Sequence, residues 1–335
     1  MENIKDFKLL TIIIPSFNRC NQLIENVNLV MSQVLRHTDQ VRLYISDNAS
    51  TDGTFNEMKK CQDKYPIGFS YYRQPENITA SPNFNHAVHA VNSEYVYILG
   101  DDDYIVPTFV ETVLALIKEY PDVGLFHFNY LLGFHEMKKS KVFQQNITPA
   151  FRKLYPTGKE FVWEQLQRPS FVSSSLFKRQ LWLDGVPYMK EDCSGYVWFS
   201  ILLHGCLKYK CMYYEAPMLV QNFPTNCPYF VNWALYYING LGNLFHYLDE
   251  YIPGVYEHWR DYQQKEAKID FLIAISTVSH AKNKYKERHD MILKHIRSRK
   301  DRFFYYLCSN YIPALLCEKL IVPMIKILKL KTILH

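Results

Sequence analysis

Short apolar runs alternate with amphipathic stretches through the first 130 residues of the chain. The predicted strands are 9–14, 41–46, 69–73, 95–99 and 123–130. Between them, residues 21–35 and 107–119 repeat apolar positions at the spacing of one helical face. This alternation predicts an α/β fold with a mostly parallel, Rossmann-like central sheet flanked by helices.

The pattern changes after residue 130. Residues 131–160 are mixed and polar, and Phe171–Phe177 has the composition of another strand. After about residue 228 the chain becomes helical and aromatic. The predicted organisation is a domain over 1–227 with halves at 1–130 and 131–227, then a mainly helical, basic and aromatic C-terminal region over 228–335.

Carboxylates follow two of the predicted strands. Asp47 ends the second strand, and Asp101, Asp102 and Asp103 follow the fourth. Like charges repel one another unless a cation lies among them, and hard divalent cations combine carboxylates with substrate phosphates. Because ligands of such sheets bind beyond the carboxyl ends of the strands, we expect both acidic positions at one rim. The alternative is an acidic loop that caps the helix beginning near Pro107.

Composition narrows the classes of function. The net charge of +5 over 335 residues gives no argument for nucleic acid. The eight cysteines contain no CxxC pair, so reduced thiols are the default expectation. The N-terminus lacks the pattern of a signal peptide, and no run reaches the roughly 20 apolar residues of a spanning helix. We therefore expect a cytoplasmic location.

The turn after the first strand has neither of the glycine-rich phosphate-binding patterns.

Four motifs stand in order along the first half of the chain, at 11–19, 45–54, 75–85 and 99–107. Their residues and spacing resemble glycosyltransferase family 2, which has the GT-A fold. Within that family the chain resembles the abequosyltransferase-like enzymes of bacterial surface polysaccharide synthesis. The resemblance implies transfer of a sugar from a nucleotide-sugar donor, with a UDP-type donor favoured, to a saccharide acceptor that is lipid-linked.

The resemblance also implies roles for residues around the donor. Those expected to bind the nucleotide-sugar are Pro15, Phe17, Arg19, Asp47, Asp52, Asn77, Asn83 and Asp101. Asp47 would accept a hydrogen bond from a ring N–H of the base, and Asp52 would either support this loop or cap a helix. For each asparagine, ordinary loop and cap chemistry is the alternative.

The family's D-x-D-D pattern has Gly100 at its first position in this chain. The resemblance then leaves Asp102 as the best ligand for Mn²⁺ or Mg²⁺. Asp103 would be a supporting metal ligand, and Asp101 would face the ribose or the donor sugar.

A second acidic pair, Glu191 and Asp192, lies further along, with Asp192 placed 90 residues after Asp102 (192 minus 102). Many inverting members of the family carry such a pair before a helix. The resemblance implies that Asp192 is the general base of an inverting reaction, with Glu191 beside it. The alternative is an acidic pair that complements a helix N-terminus. Tyr196 and Trp198 are nearby candidates for stacking on the acceptor sugar, and core packing is the alternative for both.

Basic residues concentrate near the C-terminus, with 13 Lys or Arg against four acids between Lys282 and Lys331. Over 283–331 they mix with aromatic and aliphatic residues, a pattern that suits a membrane interface. We expect peripheral contact with the inner face of the cell membrane. The alternative is a helical accessory domain packed on the catalytic domain or on a second subunit, which leaves a homo-oligomer open.

Two other functions compete with glycosyl transfer. A sugar nucleotidyltransferase would use a related sheet, but such enzymes usually carry a glycine-rich basic loop after the first strand, and this chain has none. A non-catalytic domain of the same fold would bind a nucleotide or a glycan without transferring sugar.

Overall fold

The computed structural model of the protein describes residues 8–134, 151–193, 195–223, 236–265, 293–296 and 298–310. Contacts divide the chain into two compact units. The first contains Met1–Met189 and Trp198–Thr225, and the second contains Lys190–Val197 and Asn226–His335.

The first unit is built on a sheet to which the described residues contribute nine strands. The strands are β1 Lys8–Ser16, β2 Val41–Asp47, β3 Phe69–Arg73, β4 Ser93–Ile98, β5 Tyr104–Ile105, β6 Val123–Phe134, β7 Arg152–Tyr155, β8 Ser175–Lys178 and β9 Lys210–Phe223. Their order is β3-β2-β1-β4-β8-β6-β9-β5, and β7 also pairs with β9. The first four strands run parallel, whereas β8 is antiparallel to both β4 and β6.

Helices connect and follow these strands. Up to residue 206 they are α1 Cys20–Val34, α2 Thr54–Lys64, α3 Ala80–Ala90, α4 Phe109–Glu119, α5 Gly158–Gln165, α6 Arg179–Gly185 and α7 Val197–Cys206. The described helices of the second unit are α8 Leu241–Leu248, α9 Val255–Lys265 and α10 Arg299–Asn310. The predicted α/β class and the helical C-terminal region are confirmed. Among the described helices, none is both long and apolar enough to cross a membrane.

The core explains why the first strands form where they do. Leu10, Ile12 and Ile14 alternate along β1 and are fully buried in the same cluster as Leu23 and Val27 of α1. Full burial of such a side chain contributes roughly 1.5–3 kcal/mol relative to leaving it in water. The remaining face of β1 is also buried, which is typical of a parallel strand with helices on both sides.

The predicted strand Phe171–Phe177 is only partly correct. Short 3₁₀ turns occupy Arg168–Ser170 and Val172–Ser174, and β8 begins at Ser175. The Ser174 hydroxyl donates to the Phe171 carbonyl at 2.6 Å. Local bonds of this kind compete with a strand ladder, so the apolar composition alone extends the strand too far.

Candidate active site

The carboxyl ends of β2, β1 and β4 lie side by side in the sheet. Ser16 at the end of β1 is paired in register with Asp47 at the end of β2. The Ser16 hydroxyl also donates to Asp101 Oδ2 at 2.7 Å, just beyond the end of β4. The predicted placement of two acidic positions on one rim is therefore what the sheet produces.

Asp101 is a buried carboxylate with two side-chain partners. Besides Ser16, it accepts a hydrogen bond from Arg19 Nη1 at 2.9 Å on Oδ1. Burial raises the pKa of Asp101 to about 6, and the charge of Asp102 adds to the rise while Arg19 and Ser16 oppose it. The charged form of this carboxylate thus depends on its partners.

Asp102 is more accessible to solvent than its neighbour Asp101. Its side chain is 25 % exposed, and its Oδ2 lies 2.5 Å from the same Nη1 of Arg19. Burial lowers the pKa of the Arg19 guanidinium, but the charges of Asp101 and Asp102 outweigh it and the net shift is upward. One guanidinium nitrogen therefore holds two carboxylates together.

Asp103 faces a different set of partners. Its Oδ2 accepts from the Ser173 hydroxyl at 2.6 Å, and its Oδ1 accepts from the Asn222 backbone N–H at 3.2 Å. Burial, aided by the charge of Asp102, raises the pKa of Asp103 to about 8. Both oxygens of Asp103 are thus used inside the protein, and its role as a metal ligand stays a prediction.

Gly100 makes this arrangement sterically possible. Its backbone N–H donates to Ser173 Oγ at 2.8 Å. A Cβ at Gly100 would lie 2.5 Å from Asp103 Oδ2 and 3.3 Å from Ser173 Oγ. The departure from the family pattern at this position therefore coincides with close packing against the third aspartate.

Asp47 is completely buried at the end of β2. Its Oδ1 accepts from the Ser50 N–H at 2.9 Å, its Oδ2 accepts from the Tyr71 hydroxyl at 2.7 Å, and Arg73 Nε is 3.6 Å from Oδ2. Burial and the bond to Asp47 together raise the pKa of Tyr71. A base N–H that binds Asp47 has to use an oxygen that already accepts a hydrogen bond, from the Ser50 N–H or from the Tyr71 hydroxyl.

The loops after β1 and β2 are tied together by side chains. Asn18 adopts a left-handed conformation (φ 54°), which Asn tolerates better than most residues, and its Oδ1 accepts from the Thr51 N–H at 2.7 Å. Asp52 Oδ2 accepts from the Cys20 N–H at 2.8 Å, and Asp52 Oδ1 accepts from the Thr54 hydroxyl at 2.6 Å. Asp52 thus joins the first turns of α1 and α2.

Although partial burial raises the pKa of Asp52, its hydrogen bonds outweigh that effect and lower it. The capping geometry of Asp52 is present in the structure, and its support of a nucleotide stays a prediction. Of the other two predicted residues in these loops, Pro15 is buried in β1 and Phe17 is exposed.

The two predicted asparagines, Asn77 and Asn83, form hydrogen bonds with residues at the end of β2 and just after it. Asn83 is buried and exchanges hydrogen bonds with the hydroxyl and carbonyl of Ser46, at 2.8 and 3.0 Å. Asn77 Oδ1 accepts from Asn48 Nδ2 at 3.1 Å and from the Thr79 N–H at 2.9 Å. These bonds fix the loop around Asp47, while direct contact with a donor stays a prediction for both.

A divalent cation fits this rim through its donor chemistry. Among the described residues, no group of three or more His, Cys, Asp or Glu side chains is arranged to hold a metal ion. Mg²⁺ and similar ions are commonly held by one or two carboxylates together with substrate phosphates, so a complete protein cage is not required. The partly exposed Asp102 supplies a carboxylate of this kind.

In the second unit, Asp192 is exposed and held by α8. Its Oδ2 accepts from the Tyr247 hydroxyl at 2.6 Å, and its backbone carbonyl accepts from Asn243 Nδ2 at 3.0 Å. The bond to Asp192, followed by burial, raises the pKa of Tyr247 to about 12. Lys190 Nζ lies 5.3 Å from the centre of the Tyr247 ring, and Glu191 is exposed. An exposed carboxylate in a fixed orientation can accept a proton from an incoming hydroxyl.

The two predicted acceptor residues differ in exposure. Tyr196 is half-buried, and its N–H donates to the Cys193 carbonyl at 2.8 Å. Trp198 is buried against Phe199, with ring centres 5.4 Å apart. Trp198 therefore offers little free ring surface, and stacking on an acceptor stays a prediction for both residues.

Sequence reasoning missed several partners of the predicted carboxylates. Ser16, Tyr71, Ser173 and Tyr247 each donate to one of them, and all but Tyr71 come from more than 50 residues away along the chain. A weak signal exists for Tyr247, because it follows Asn243 by four residues and the two share a helix face. No comparable local signal marks Ser173.

Comparison with known sequences identifies a family. The family model for Glycosyl transferase family 2 matches residues 11–181, half of the chain. A segment of 114 residues is 32 % identical to Abequosyltransferase RfbV of Salmonella typhimurium and makes up 34 % of this chain. That segment spans only 33 % of the length of the Salmonella enzyme.

Solved structures share the fold at low sequence identity. Residues 1–349 of S. aureus TarS have a TM-score of 0.57 at 14 % identity, with 90 % of each chain covered. The same fragment in complex with UDP-GlcNAc gives 0.55 at 13 % identity, again with 90 % of each chain covered. The mannosyltransferase PcManGT from Pyrobaculum calidifontis, in complex with GDP-Man and Mn²⁺, gives 0.54 at 15 % identity over 94 % of this chain and 88 % of that one.

Proposed function

Because the chain belongs to glycosyl transferase family 2, we propose that it is an inverting, metal-dependent glycosyltransferase that extends a bacterial surface glycan. The observation that carries this proposal is the rim at which Ser16 joins the ends of three strands, paired with Asp47 on one side and bonded to Asp101 on the other. Such a rim is where open α/β sheets bind nucleotides.

The donor is a nucleotide-sugar, and a UDP-type donor is favoured. We assign the nucleotide base of the donor to the residues around Asp47. The diphosphate and the sugar of the donor are assigned to Arg19, Asp101 and Asp102. The TarS complexes with UDP-GlcNAc and UDP support a nucleotide-sugar for proteins of this fold. Because Asp47 has no exposed surface, base binding requires the Tyr71 hydroxyl or the Ser50 N–H to share its oxygen or turn away from it.

The divalent cation belongs on Asp102. Asp103 is the weaker ligand because its two oxygens already accept hydrogen bonds from Ser173 and Asn222. When bound, the cation supplies positive charge next to the diphosphate leaving group. The complex of PcManGT with GDP-Man and Mn²⁺ supports a manganese-type ion for this fold.

Asp192 is the general base in this proposal. Its carboxylate takes the proton of the acceptor hydroxyl while that oxygen forms a bond to the anomeric carbon of the donor sugar. The bond from the anomeric carbon to the phosphate oxygen breaks on the opposite face, and the nucleoside diphosphate leaves with the electron pair. Attack from the opposite face inverts the anomeric configuration. Tyr247 and Asn243 hold the base in place.

The acceptor in this proposal is a lipid-linked saccharide at the inner face of the membrane. Most of the basic and aromatic stretch over 283–331 lies outside the described residues, but α10 falls within it. On α10, Phe303 is 61 % exposed, and Arg299, Lys300 and Arg302 are exposed as well. This surface supports binding to anionic lipid, and sedimentation with vesicles that contain or lack anionic lipid tests it.

Release of nucleoside diphosphate tests the function. The protein is incubated with UDP-, dTDP-, GDP- and CDP-sugars and a saccharide acceptor, with and without EDTA. We expect one donor to release its diphosphate in an acceptor-dependent reaction that EDTA stops. A sugar nucleotidyltransferase would instead release pyrophosphate from a nucleoside triphosphate and a sugar phosphate, and a binding protein would release neither.

The metal assignment has its own test. Mn²⁺ and nucleotide together should raise the melting temperature of the wild-type protein, and Asp102→Ala should lose this rise because the cation loses its protein ligand. Asp122→Ala is the matched control, since Asp122 is an exposed aspartate of the same unit that pairs with Lys210. Unchanged stabilisation of the Asp102→Ala protein would contradict the assignment.

A further inference from the structure

Arg19 occupies the place between the two carboxylates of the rim. Its Nη1 lies 2.9 Å from Asp101 Oδ1 and 2.5 Å from Asp102 Oδ2. The Arg19 side chain is 40 % exposed, whereas the Asp101 side chain is only 10 % exposed. The guanidinium therefore approaches the pair from the solvent side and neutralises part of its charge.

A metal ion and this guanidinium compete for the same oxygen. Divalent cations bind carboxylate oxygens at about 2.0–2.6 Å, so an ion on Asp102 Oδ2 would have to share that oxygen with the Arg19 nitrogen 2.5 Å away. Two positive charges at such separations also repel each other strongly in a partly buried site. The guanidinium thus opposes binding of the cation at Asp102 Oδ2 for as long as it stays on this oxygen.

We propose that Arg19 is the resident counter-ion of Asp101 and Asp102, and that it weakens the binding of free divalent cations until a nucleoside diphosphate draws it away from Asp102. This inference rests on the proposed metal role of Asp102. It assigns to Arg19 control over when the metal binds, in addition to contact with the donor.

The chemistry of the diphosphate makes the exchange possible. A guanidinium binds phosphate oxygens in a bidentate manner and with charge-assisted hydrogen bonds, so a diphosphate offers Arg19 a second partner. The same diphosphate offers oxygen ligands to the cation. Metal and nucleotide therefore raise each other's affinity, and thermodynamic linkage requires that they do so by the same factor.

The first experiment uses Mn²⁺ alone. Binding is measured from the loss of the electron paramagnetic resonance signal of free Mn²⁺, without nucleotide, for the wild type and for Arg19→Gln. We expect Arg19→Gln to bind Mn²⁺ at least about tenfold more tightly, because the carboxylate pair has lost its competing cation. Arg19→Lys keeps the charge and should remain near the wild-type affinity.

Arg152→Gln is the matched control. Arg152 pairs with Glu119 at 2.8 Å in the same unit, so this change removes one positive charge without touching the rim. Its Mn²⁺ affinity should equal that of the wild type. An Arg19→Gln protein that binds Mn²⁺ no more tightly than this control overturns the proposal, and shows that the ion and the guanidinium do not compete.

The second experiment needs no variant, so it holds even if Arg19→Gln fails to fold. Mn²⁺ affinity of the wild type is measured with and without UDP, CDP, GDP or dTDP, and affinity for the best nucleotide is measured with and without Mn²⁺. We expect equal enhancement in both directions, at least about tenfold. Tight Mn²⁺ binding that no nucleotide enhances overturns the role of Arg19 but leaves the assignment of a metal to Asp102 in place. Absence of Mn²⁺ binding under every condition, with transfer insensitive to EDTA, overturns the metal assignment itself.

Discussion

The carboxylates of the first unit and the candidate base of the second unit are held in opposite ways. Asp101 and Asp103 are buried, and their partners come from strand ends, turns and loops that are distant in the sequence. Asp192 is exposed, and its two side-chain partners come from one helix, α8. Burial of Asp101 and Asp103 beside the sheet thus costs desolvation free energy, and the exposed Asp192 avoids that cost.

This difference matches the two proposed chemical tasks. Buried carboxylates with fixed hydrogen-bond partners keep their positions when the proposed metal and donor bind, even though Arg19 moves. A general base must instead meet a hydroxyl of the acceptor and keep a carboxylate that can gain a proton. The comparison predicts that changes at the rim act on stability and nucleotide binding, whereas changes around Asp192 act on turnover.

The largest expected effect is that of Asp192→Asn. The amide cannot accept the acceptor proton, so the turnover number should fall by at least about a hundredfold while donor affinity is kept. Steady-state kinetics and calorimetric titration with the donor nucleotide measure the two quantities. Asp249→Asn, a change on another aspartate of the same unit, serves as the control. Near-normal turnover of Asp192→Asn would show that another residue is the general base, and the comparison with the carboxylates of the first unit would no longer concern catalysis.

The next effect is on stability, at the turn before β8. Ser173→Ala removes the hydroxyl that donates to Asp103 and accepts from Gly100. Leaving a buried polar group without its partner costs about 1–3 kcal/mol, so the free energy of unfolding should fall by that amount. Denaturant titration followed by circular dichroism measures it.

Ser175→Ala is the matched control for Ser173→Ala. Ser175 is also buried, but its hydroxyl has no hydrogen-bond partner within the part of the chain that the structure describes. Its removal should therefore change stability much less. Equal losses in the two variants would show that volume, and not the bond to Asp103, determines the effect.

The smallest expected effect is that of Tyr247→Phe. The Tyr247 hydroxyl donates to the Asp192 carboxylate and so fixes its orientation. Without this donor, kcat should fall by less than about tenfold while the affinity for the donor nucleotide changes little, because the carboxylate is held less firmly. Tyr256→Phe is the control, because the Tyr256 hydroxyl bonds to His295 and not to Asp192. An unchanged kcat in Tyr247→Phe would leave Asp192 as base but deny Tyr247 a positioning role.

Much of the first unit could be predicted from local patterns. The β-branched runs of β1 and β2 and the turn residues after them determine where each strand ends, and the parallel order then brings Asp47 and Asp101 to neighbouring ends. The placement of these carboxylates followed from periodicity and topology. Their proposed roles rest on the resemblance to a family, and no periodicity could supply them.

The partners of those carboxylates could not be predicted. Ser173 bonds to Asp103 across 70 residues, and the Asn222 N–H reaches the same side chain across 119. Contacts at such separations depend on how β8 and β9 enter the sheet, which a local pattern does not encode. The same limitation explains why Phe171–Phe177 was predicted as one strand, since the short turn that presents Ser173 is stabilised by its own hydroxyls and by the aspartate.

The bare α-carbon of Gly100 constrains the mutational paths open to this protein. Restoring the acid of the family pattern by Gly100→Asp would place a Cβ 2.5 Å from Asp103 Oδ2 and add a fourth carboxylate to a crowded rim. The substitution becomes tolerable only on a background in which position 103 has already lost its charge or bulk. Substitutions at positions 100 and 103 are therefore epistatic, because steric contact between them imposes an order. A laboratory evolution experiment that starts from this chain should reach an acid at position 100 only after a change at Asp103.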